Sequence, residues 1–277
     1  YRNMHIGNNL GAEINGSYRS DLGTTGLGLE LRKEFLASNN LGYRERFVTQ
    51  VFFEHHFSFF QNTLNVSPGI SWANYDKEGN FFYPGLDVGF DFNENHKIYG
   101  NIAKVNRIPT FTDLYYVSKT EAGNPDLKPE NAISAEVGYR FQKHNFLGKI
   151  SGFLRDSDNS IDWSKQNAND IWRAENIGKI KTKGVEVELA QHFNSFLKSY
   201  SVGHTFLENN YEQPTGLLSR YVMENLKHQL VAKLEVFFLK KFTNQLIYRY
   251  NERVSTGSYQ IFDEKLSYDA KNYNIYI

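Results

Sequence analysis

Asn106-Arg107-Ile108-Pro109-Thr110-Phe111-Thr112-Asp113-Leu114-Tyr115-Tyr116, continued by Gly123-Asn124-Pro125-Asp126-Leu127-Lys128-Pro129-Glu130, interrupts an otherwise regular alternation of apolar and polar residues. Pro109, Pro125 and Pro129 are three of the six prolines in the chain. Each fixes φ, lacks an N–H and pushes the preceding residue away from helical backbone. Such a run cannot serve as a ladder strand, so it reads as a long connection. Connections of this length inside a compact domain are usually functional.

On both sides the chain reads as one hairpin after another. Ile6, Leu10, Ala12, Ile14 and Tyr18 share one face, opposite Asn9, Glu13, Asn15 and Ser17. Leu27, Leu29 and Leu31 alternate with Gly28, Glu30 and Arg32. Phe47, Val51, Phe53, Phe57 and Phe59 oppose Gln50, Glu54, His56 and Ser58. The rhythm continues beyond the interruption. Ile133, Ala135, Val137 and Tyr139 alternate with Ser134, Glu136, Gly138 and Arg140, and Val185, Val187 and Leu189 with Glu186 and Glu188. Further on, Leu230, Ala232 and Leu234 alternate with Lys233 and Glu235. Period-2 alternation over about ten residues signals a strand, and repeated hairpins signal an antiparallel sheet. About 14 strands of roughly 9–11 residues are expected, the length that crosses a bilayer at a tilt. Around Tyr259–Tyr268 the pattern is less clean, because Glu264 falls among Phe262, Leu266 and Tyr268; a bulge or a charge at a membrane rim is expected there.

Composition narrows the class. Aromatics make up 16% of the 277 residues, acidic and basic side chains balance at 31 each, and there is no cysteine. Mean hydropathy is −0.56. Nothing approaches the roughly 18 consecutive apolar residues of a membrane helix. The neutral balance argues against nucleic acid as a partner, and the lack of Cys excludes disulfides and thiolate metal sites. Alternation alone also suits soluble sandwiches and barrels. Here the apolar face is rich in Phe, Leu, Ile and Tyr in every hairpin, and no helix is available to cover it. A bilayer covers it most economically, as in transmembrane β-barrels. Connection lengths agree. Asn93–Asn95, Gln142–Asn145, Phe193–Phe196 and Asp269–Asn272 read as short turns. Ser38–Glu45, Arg107–Glu130, Ser164–Ile171 and Glu208–Ser219 read as the longer alternate set. Short periplasmic turns and long extracellular loops are the barrel pattern, which sets the Pro-rich connection outside.

Arg-x-Pro-Thr-Phe-Thr-Asp-Leu-Tyr-Tyr followed by Gly-Asn-Pro-x-Leu-Lys-Pro-Glu resembles a signature of TonB-dependent outer-membrane receptors, above all the branch that takes up vitamin B12 (cobalamin). The residues that carry it are Arg107, Pro109, Asp113, Leu114, Tyr115, Gly123, Asn124, Pro125, Leu127, Pro129 and Glu130. Trp172-Arg173-Ala174-Glu175-Asn176 leading to Gly184-Val185-Glu186 resembles a second family strand, and Phe153–Asp162 resembles the strand that climbs to the cell surface. The resemblance implies an all-β antiparallel transmembrane barrel that takes up a scarce, large nutrient. Cobalamin is the first candidate and a siderophore–iron complex the second; a passive pore is the alternative from another class. Members of the family begin with a TonB box and a plug domain, to which nothing here corresponds. The chain ends in mid-strand at Asn274-Ile275-Tyr276-Ile277. Residues 1 to 277 therefore read as one partial barrel, truncated at both ends, with about 14 of the family's roughly 22 strands. The implied partners are outer-membrane lipid, an extracellular small-molecule ligand and, through the missing plug region, the TonB complex.

Candidate ligand contacts are the aromatic and hydrogen-bonding residues of the long connections: Arg107, Phe111, Tyr115 and Tyr116 from the first, Trp163, Trp172 and Asn176 from the next, and Asn209, Tyr211 and Arg220 from the third. Aromatic rings give broad apolar contact with a polar tip, and Arg and Asn hydrogen-bond an amide rim. Tyr and Trp at strand ends also form the interfacial girdle of any membrane barrel. No resident cofactor or metal is expected. Asp156-x-Asp158-x-Ser160-x-Asp162 lacks the Gly and Glu of a calcium loop, having Ile161 and Asn167 in their places. His55 and His56 fall on opposite faces of a strand. Gly23, Gly26 and Gly28 sit at a strand entry and make no dinucleotide fingerprint. Neither Gly-x-Ser-x-Gly nor His-Glu-x-x-His occurs, so nothing argues for an enzyme. A barrel hydrolase would draw on His204 and His228 at a rim.

Overall fold

The computed structural model describes residues 3–212, 216–220, 226–239 and 241–277. Twelve strands run in sequence as hairpins, each hydrogen-bonded to the one before it: β1 (His5–Ser20), β2 (Gly23–Ser38), β3 (Gly42–Phe59), β4 (Leu64–Tyr75), β5 (Gly79–Asn93) and β6 (His96–Arg107), then β8 (Glu130–Lys143), β9 (Phe146–Asp158), β12 (Lys179–His192), β13 (Leu197–Glu212), β15 (Leu226–Phe238) and β16 (Phe242–Arg253). Two more, β17 (Gly257–Asp269) and β18 (Asn274–Tyr276), complete a 14-stranded antiparallel sheet among the described residues. The connections that this numbering skips fold back on one another. They hold a one-turn helix, α1 (Phe111–Tyr115), and a separate small sheet of β7 (Glu121–Ala122), β10 (Ile161–Lys165), β11 (Trp172–Asn176) and β14 (Leu218–Ser219).

Register assigns every side chain of the large sheet to a face, because residues directly opposite in an antiparallel pair point the same way. Glu13 lies opposite Glu30, and Glu30 opposite Gln50. Asn101 lies opposite Glu136 and Ser151 opposite Glu186, which carries the same polar face across the sheet. Phe53 lies opposite Leu27 and Ile70, Phe90 opposite Ile98, Val187 opposite Ile150, and Leu234 opposite Leu246. The apolar face is the exposed one: Val137 is 62% accessible, and Leu27, Phe53, Ile102, Ile133 and Leu154 are likewise uncovered. Buried hydrophobic residues lie instead at the loop end, where Val48 and Ala73 of the polar face are fully covered. A soluble sheet would have the reverse arrangement.

The strands are longer than the sequence alone suggests. β3 has 18 residues and β1, β2 and β13 have 16 each. At about 3.4 Å per residue they outreach an apolar band of about 25 Å. Hairpin pairing simply continues past the level at which alternation ceases to be apolar. For the same reason Ser38–Glu45 is not a long loop. β2 and β3 run on to a turn of residues 39–41, where the Ser38 hydroxyl accepts hydrogen bonds from the Asn40 and Leu41 amides at 3.1 and 2.9 Å. Glu208–Glu212 belongs to β13, and Ser164 and Lys165 to β10, so those two loops are also shorter than expected. Between β16 and β17 the register is unbroken, so the irregularity at Glu264 is a charge without a bulge. Glu264 stands on the apolar face and accepts a 2.6 Å bond from Asn244 near the short-turn end.

On the polar face, glycines make room for rings from the neighbouring strand. A Cβ at Gly28 would fall 2.0 Å from Phe52, one at Gly138 2.3 Å from Tyr99, and one at Gly184 2.4 Å from Phe153. The rings lie flat over the missing side chains. At the short-turn end the apolar face carries a belt of paired rings: Phe57–Phe59, Phe90–Phe92, Phe141–Phe146 and Phe242–Tyr268. This matches the aromatic girdle of barrels.

The two faces carry opposite penalties for charge. In a lipid bilayer, Val137→Arg at the middle of β8 is expected to cost about 2–4 kcal/mol. Ser134→Arg, on the polar face of the same strand, should cost under about 1 kcal/mol. Urea unfolding in lipid vesicles compares the two directly, and equal costs would contradict the assignment of faces.

A clasped loop cap as the candidate functional site

At the loop end, the two ends of the Pro-rich connection meet. Arg107 closes β6 and Glu130 opens β8, and the two are register partners. The guanidinium grips the carboxylate through both oxygens, Nε to Oε2 at 2.8 Å and Nη2 to Oε1 at 2.7 Å. Its third nitrogen, Nη1, reaches Asp113 at 3.5 Å. Glu130 Oε1 also accepts the Ile161 amide at 2.5 Å, so one ion pair anchors both α1 and the start of β10. Bidentate Arg–carboxylate pairs combine strength with fixed orientation.

Thr110 and Asp113 form a capping box on α1. The Thr110 side chain accepts from the Asp113 amide at 3.1 Å, and Asp113 accepts from the Thr110 backbone at 3.1 Å. The helix therefore begins immediately after Pro109, where the proline costs no hydrogen bond. Gly123 and Asn124 dock on the far end of that turn: their amides donate to Tyr116 O at 2.6 Å and Asp113 O at 2.9 Å. A Cβ at Gly123 would stand 2.8 Å from the Asp113 carbonyl oxygen, so only glycine fits. Asn176 ties the second connection to the first. It accepts the Lys128 amide at 2.9 Å and donates to Lys128 O at 2.9 Å and Asn159 O at 2.7 Å. The Pro125–Pro129 turn thereby delivers Leu127 into a small core with Leu114, Ile161, Trp163 and Ala174.

This cap folds over the polar face toward β3. Arg46 donates to Pro109 O at 2.9 Å and Glu78 at 2.6 Å, and its guanidinium lies 4.9 Å from the Phe111 ring. Arg44 lies 3.7 Å from the Tyr115 ring centre. Tyr116 accepts a 3.1 Å bond from Asn3 and meets Trp163 edge to face. On the opposite side, Trp172 has Lys165 at 4.7 Å and Arg220 at 5.7 Å from its ring. Arg220 pairs with Glu121 at 2.7 Å. Arg220 and the Ser118 hydroxyl, both hydrogen-bonded to Glu121, hold that carboxyl below the ordinary glutamate range.

Eight of the ten candidate contacts thus come together in one unit: Arg107, Phe111, Tyr115, Tyr116, Trp163, Trp172, Asn176 and Arg220. Within it, Trp163 is 7% exposed in the core, while Arg107 and Asn176 are engaged in the anchors. Phe111, Tyr115, Tyr116 and Trp172 are half-buried and present part of each ring. Asn209 and Tyr211 stand on the polar-face register of β13; Asn209 accepts from Thr182 at 2.5 Å, and Tyr211 lies opposite Ile180. Gly184 and Glu186 lie on the polar face of β12, away from the cap. His204 and His228 do meet, with ring centres 5.5 Å apart, but on the apolar face beside Phe206. Sequence reasoning missed Arg44, Arg46, Thr110, Glu121 and Asp162. Only the capping box, Thr110-x-x-Asp113, had a local signal. Asp162 is buried in the small sheet, where its carboxylate accepts the Ser219 hydroxyl.

A wide antiparallel sheet, apolar outside and polar within, whose longest loops fold into an aromatic and cationic cap, defines the wall of a membrane β-barrel receptor. The family described as "TonB dependent receptor-like, beta-barrel" matches residues 2–277, and the chain belongs to it. It is 26% identical over 222 residues to a vitamin B12 transporter of Vibrio vulnificus, covering 77% of this chain and 34% of that protein. It is 25% identical over 168 residues to the ferrienterobactin receptor of Escherichia coli, covering 53% of this chain and 22% of that one. Among solved structures, the siderophore receptor PirA of Pseudomonas aeruginosa superposes with a TM-score of 0.77 at 18% identity, over 99% of this chain and 51% of that one. The ferric enterobactin receptor PfeA of the same organism, crystallised with enterobactin, gives a TM-score of 0.77 at 18% identity, over 98% of this chain and 48% of that one. The chain thus spans about a third or less of these curated relatives and about half of these structures.

Two predictions follow from the anchors. Arg107→Ala should reduce hydrogen-exchange protection of the Ile161 amide by roughly tenfold while leaving the middle of β8 unchanged, since about one charge-assisted bond is lost. Because the Glu121 pKa is depressed on folding, its contribution is complete above the unfolded value of about 4.3 and is lost as pH falls through the lower folded value. Trp172 fluorescence should stay constant from about pH 8 to pH 5 and change only in more acidic solution, and Glu121→Gln should abolish that change.

Proposed function

We propose that this chain is part of the barrel of an outer-membrane receptor for energy-coupled uptake of a large, scarce nutrient, with cobalamin as the first candidate. The observation that carries the reading is the cap, in which half-exposed rings and cations are held in fixed positions over the polar face by the Arg107–Glu130 anchor. A ligand arriving at the loop end meets Phe111, Tyr115, Tyr116 and Trp172 with Arg220 beside them, and Tyr211 below. Such a surface suits a ligand that is broad, partly apolar and rimmed with hydrogen-bonding groups. Trp163, Arg107 and Asn176 act one layer back, holding the rings in place. The plug and the contact with the TonB complex belong to other residues of the longer receptor, and the present residues are its wall and part of its mouth.

A ferric siderophore is the second reading. It is favoured by the cations grouped on Trp172, Lys165 and Arg220, which suit an anionic chelate. Titration of the full-length receptor with cyanocobalamin and with ferric enterobactin separates the two readings. Tyr116→Ala and Trp172→Ala should each weaken the true ligand by roughly tenfold, about 1.4 kcal/mol, with the barrel still inserted. Unchanged affinity in Tyr115, Tyr116, Trp172 and Tyr211 variants alike would return these rings to a structural role. A passive pore, by contrast, would conduct in planar bilayers and would bind neither compound.

A further inference from the structure

The apolar face has a feature that a plain lipid-facing wall does not need. Across β5, β6 and β8 runs an apolar groove of about 360 Å³ lined by Pro84, Leu86, Ile102, Lys104 and Ile133. Directly above it, toward the loops, lies a polar groove of about 460 Å³ lined by Lys104, Asn131, Ile133, Asp156, Asp158 and Asn159. The two share Lys104 and Ile133, so they form one continuous amphipathic channel.

Register places the charges within it. Lys104 lies opposite Ile133, and Ile133 opposite Asp156. With strands about 4.8 Å apart, the lysine and the carboxylate stand about 10 Å from each other across one isoleucine. Both are exposed. Around them the charges are satisfied: Asp158 pairs with Lys179 at 3.5 Å, and Lys183 pairs with Glu208 at 3.1 Å. Asn131 accepts from Asn106 and donates to Pro129 O. Lys104 and Asp156 alone in this groove make no hydrogen bond or ion pair among the described residues. One cation and one anion thus stand apart at the boundary between an apolar groove and the polar rim.

We propose that this channel binds a zwitterionic phospholipid, with an acyl chain in the apolar groove, the phosphate on the Lys104 ammonium and the headgroup amine donating to the Asp156 carboxylate. The charge pattern selects the headgroup. A purely anionic lipid leaves Asp156 opposed by like charge, and a quaternary ammonium offers Asp156 no N–H to accept. The inference rests on the lipid-facing assignment of the apolar face and goes beyond nutrient uptake, since the site lies on the opposite side of the wall from the cap.

The test is native mass spectrometry of the delipidated full-length receptor with phosphatidylethanolamine, phosphatidylglycerol and phosphatidylcholine. Phosphatidylethanolamine should be retained roughly tenfold better than the other two, the size of one charge-assisted hydrogen bond. Lys104→Gln and Asp156→Asn should each remove that preference, whereas Lys183→Gln, outside the channel, should leave it intact. Free phosphoethanolamine, which has no acyl chain, should not compete at equal concentration. Equal retention of the three lipids by the wild-type receptor would overturn the proposal, as would a preference that survives both channel variants or competition by the free headgroup. Heat-modifiable gel migration reports barrel insertion separately. A receptor that inserts but shows no preference refutes this site alone, while one that never inserts refutes the membrane reading itself.

Discussion

The constraint on which the rest of this structure depends is the pairing of backbone N–H and C=O groups along every strand. In hydrocarbon an unpaired peptide group has no water to turn to and costs several kcal/mol. A sheet whose apolar face is meant for lipid must therefore pair each strand with its neighbour along its whole buried length. Twelve hairpin-linked strands from His5 to Arg253 do so with few register shifts. Once the ladder is set, side-chain period alone distributes the chemistry, sending Phe53, Val137 and Leu234 to one side and Glu54, Glu136 and Glu186 to the other.

That arrangement inverts the usual logic of a core. The large sheet buries little on its apolar side, and cohesion there comes from the bilayer. On the polar side, rings over glycines do what packing would otherwise do: Phe52 over Gly28, Tyr99 over Gly138 and Phe153 over Gly184. Each pair covers exposed backbone with an aromatic face and keeps neighbouring strands in register. Cross-strand ion pairs such as Arg32–Glu30 and Lys149–Glu136 are half-exposed and add only modestly.

The conventional hydrophobic core lies in the cap, and it is made by loops. Its residues come from three connections: Leu114 and Leu127 from the first, Ile161, Trp163 and Ala174 from the second, with β14 of the third pairing at the edge. Loops can form such a core only if their ends are held still. The Arg107–Glu130 pair and the Asn176 bridge do this, since each joins two connections through charge-assisted or multiple hydrogen bonds. The signature residues thus serve chiefly to build the mouth, and the half-buried rings above them are what a ligand can meet.

Period-2 alternation, the three clustered prolines and the order of short and long turns were enough to determine the all-β antiparallel class, the strand count of the large sheet and the face of nearly every side chain. Those signals are local, since two adjacent residues already carry the alternation and one proline already breaks a ladder. The Thr110–Asp113 capping box was legible in the same way, as a spacing of three. What only the tertiary structure decided is non-local. β7 pairs in parallel with β11 from some 50 residues away, and Arg44 and Arg46 reach from β3 to the rings of α1. Trp163 turns inward while Trp172 stays half-exposed, although both sit in the same kind of aromatic and polar sequence. Side-chain period names the face of a strand, but contacts between separate loops follow from how their anchored ends meet in space. No local spacing encodes that meeting.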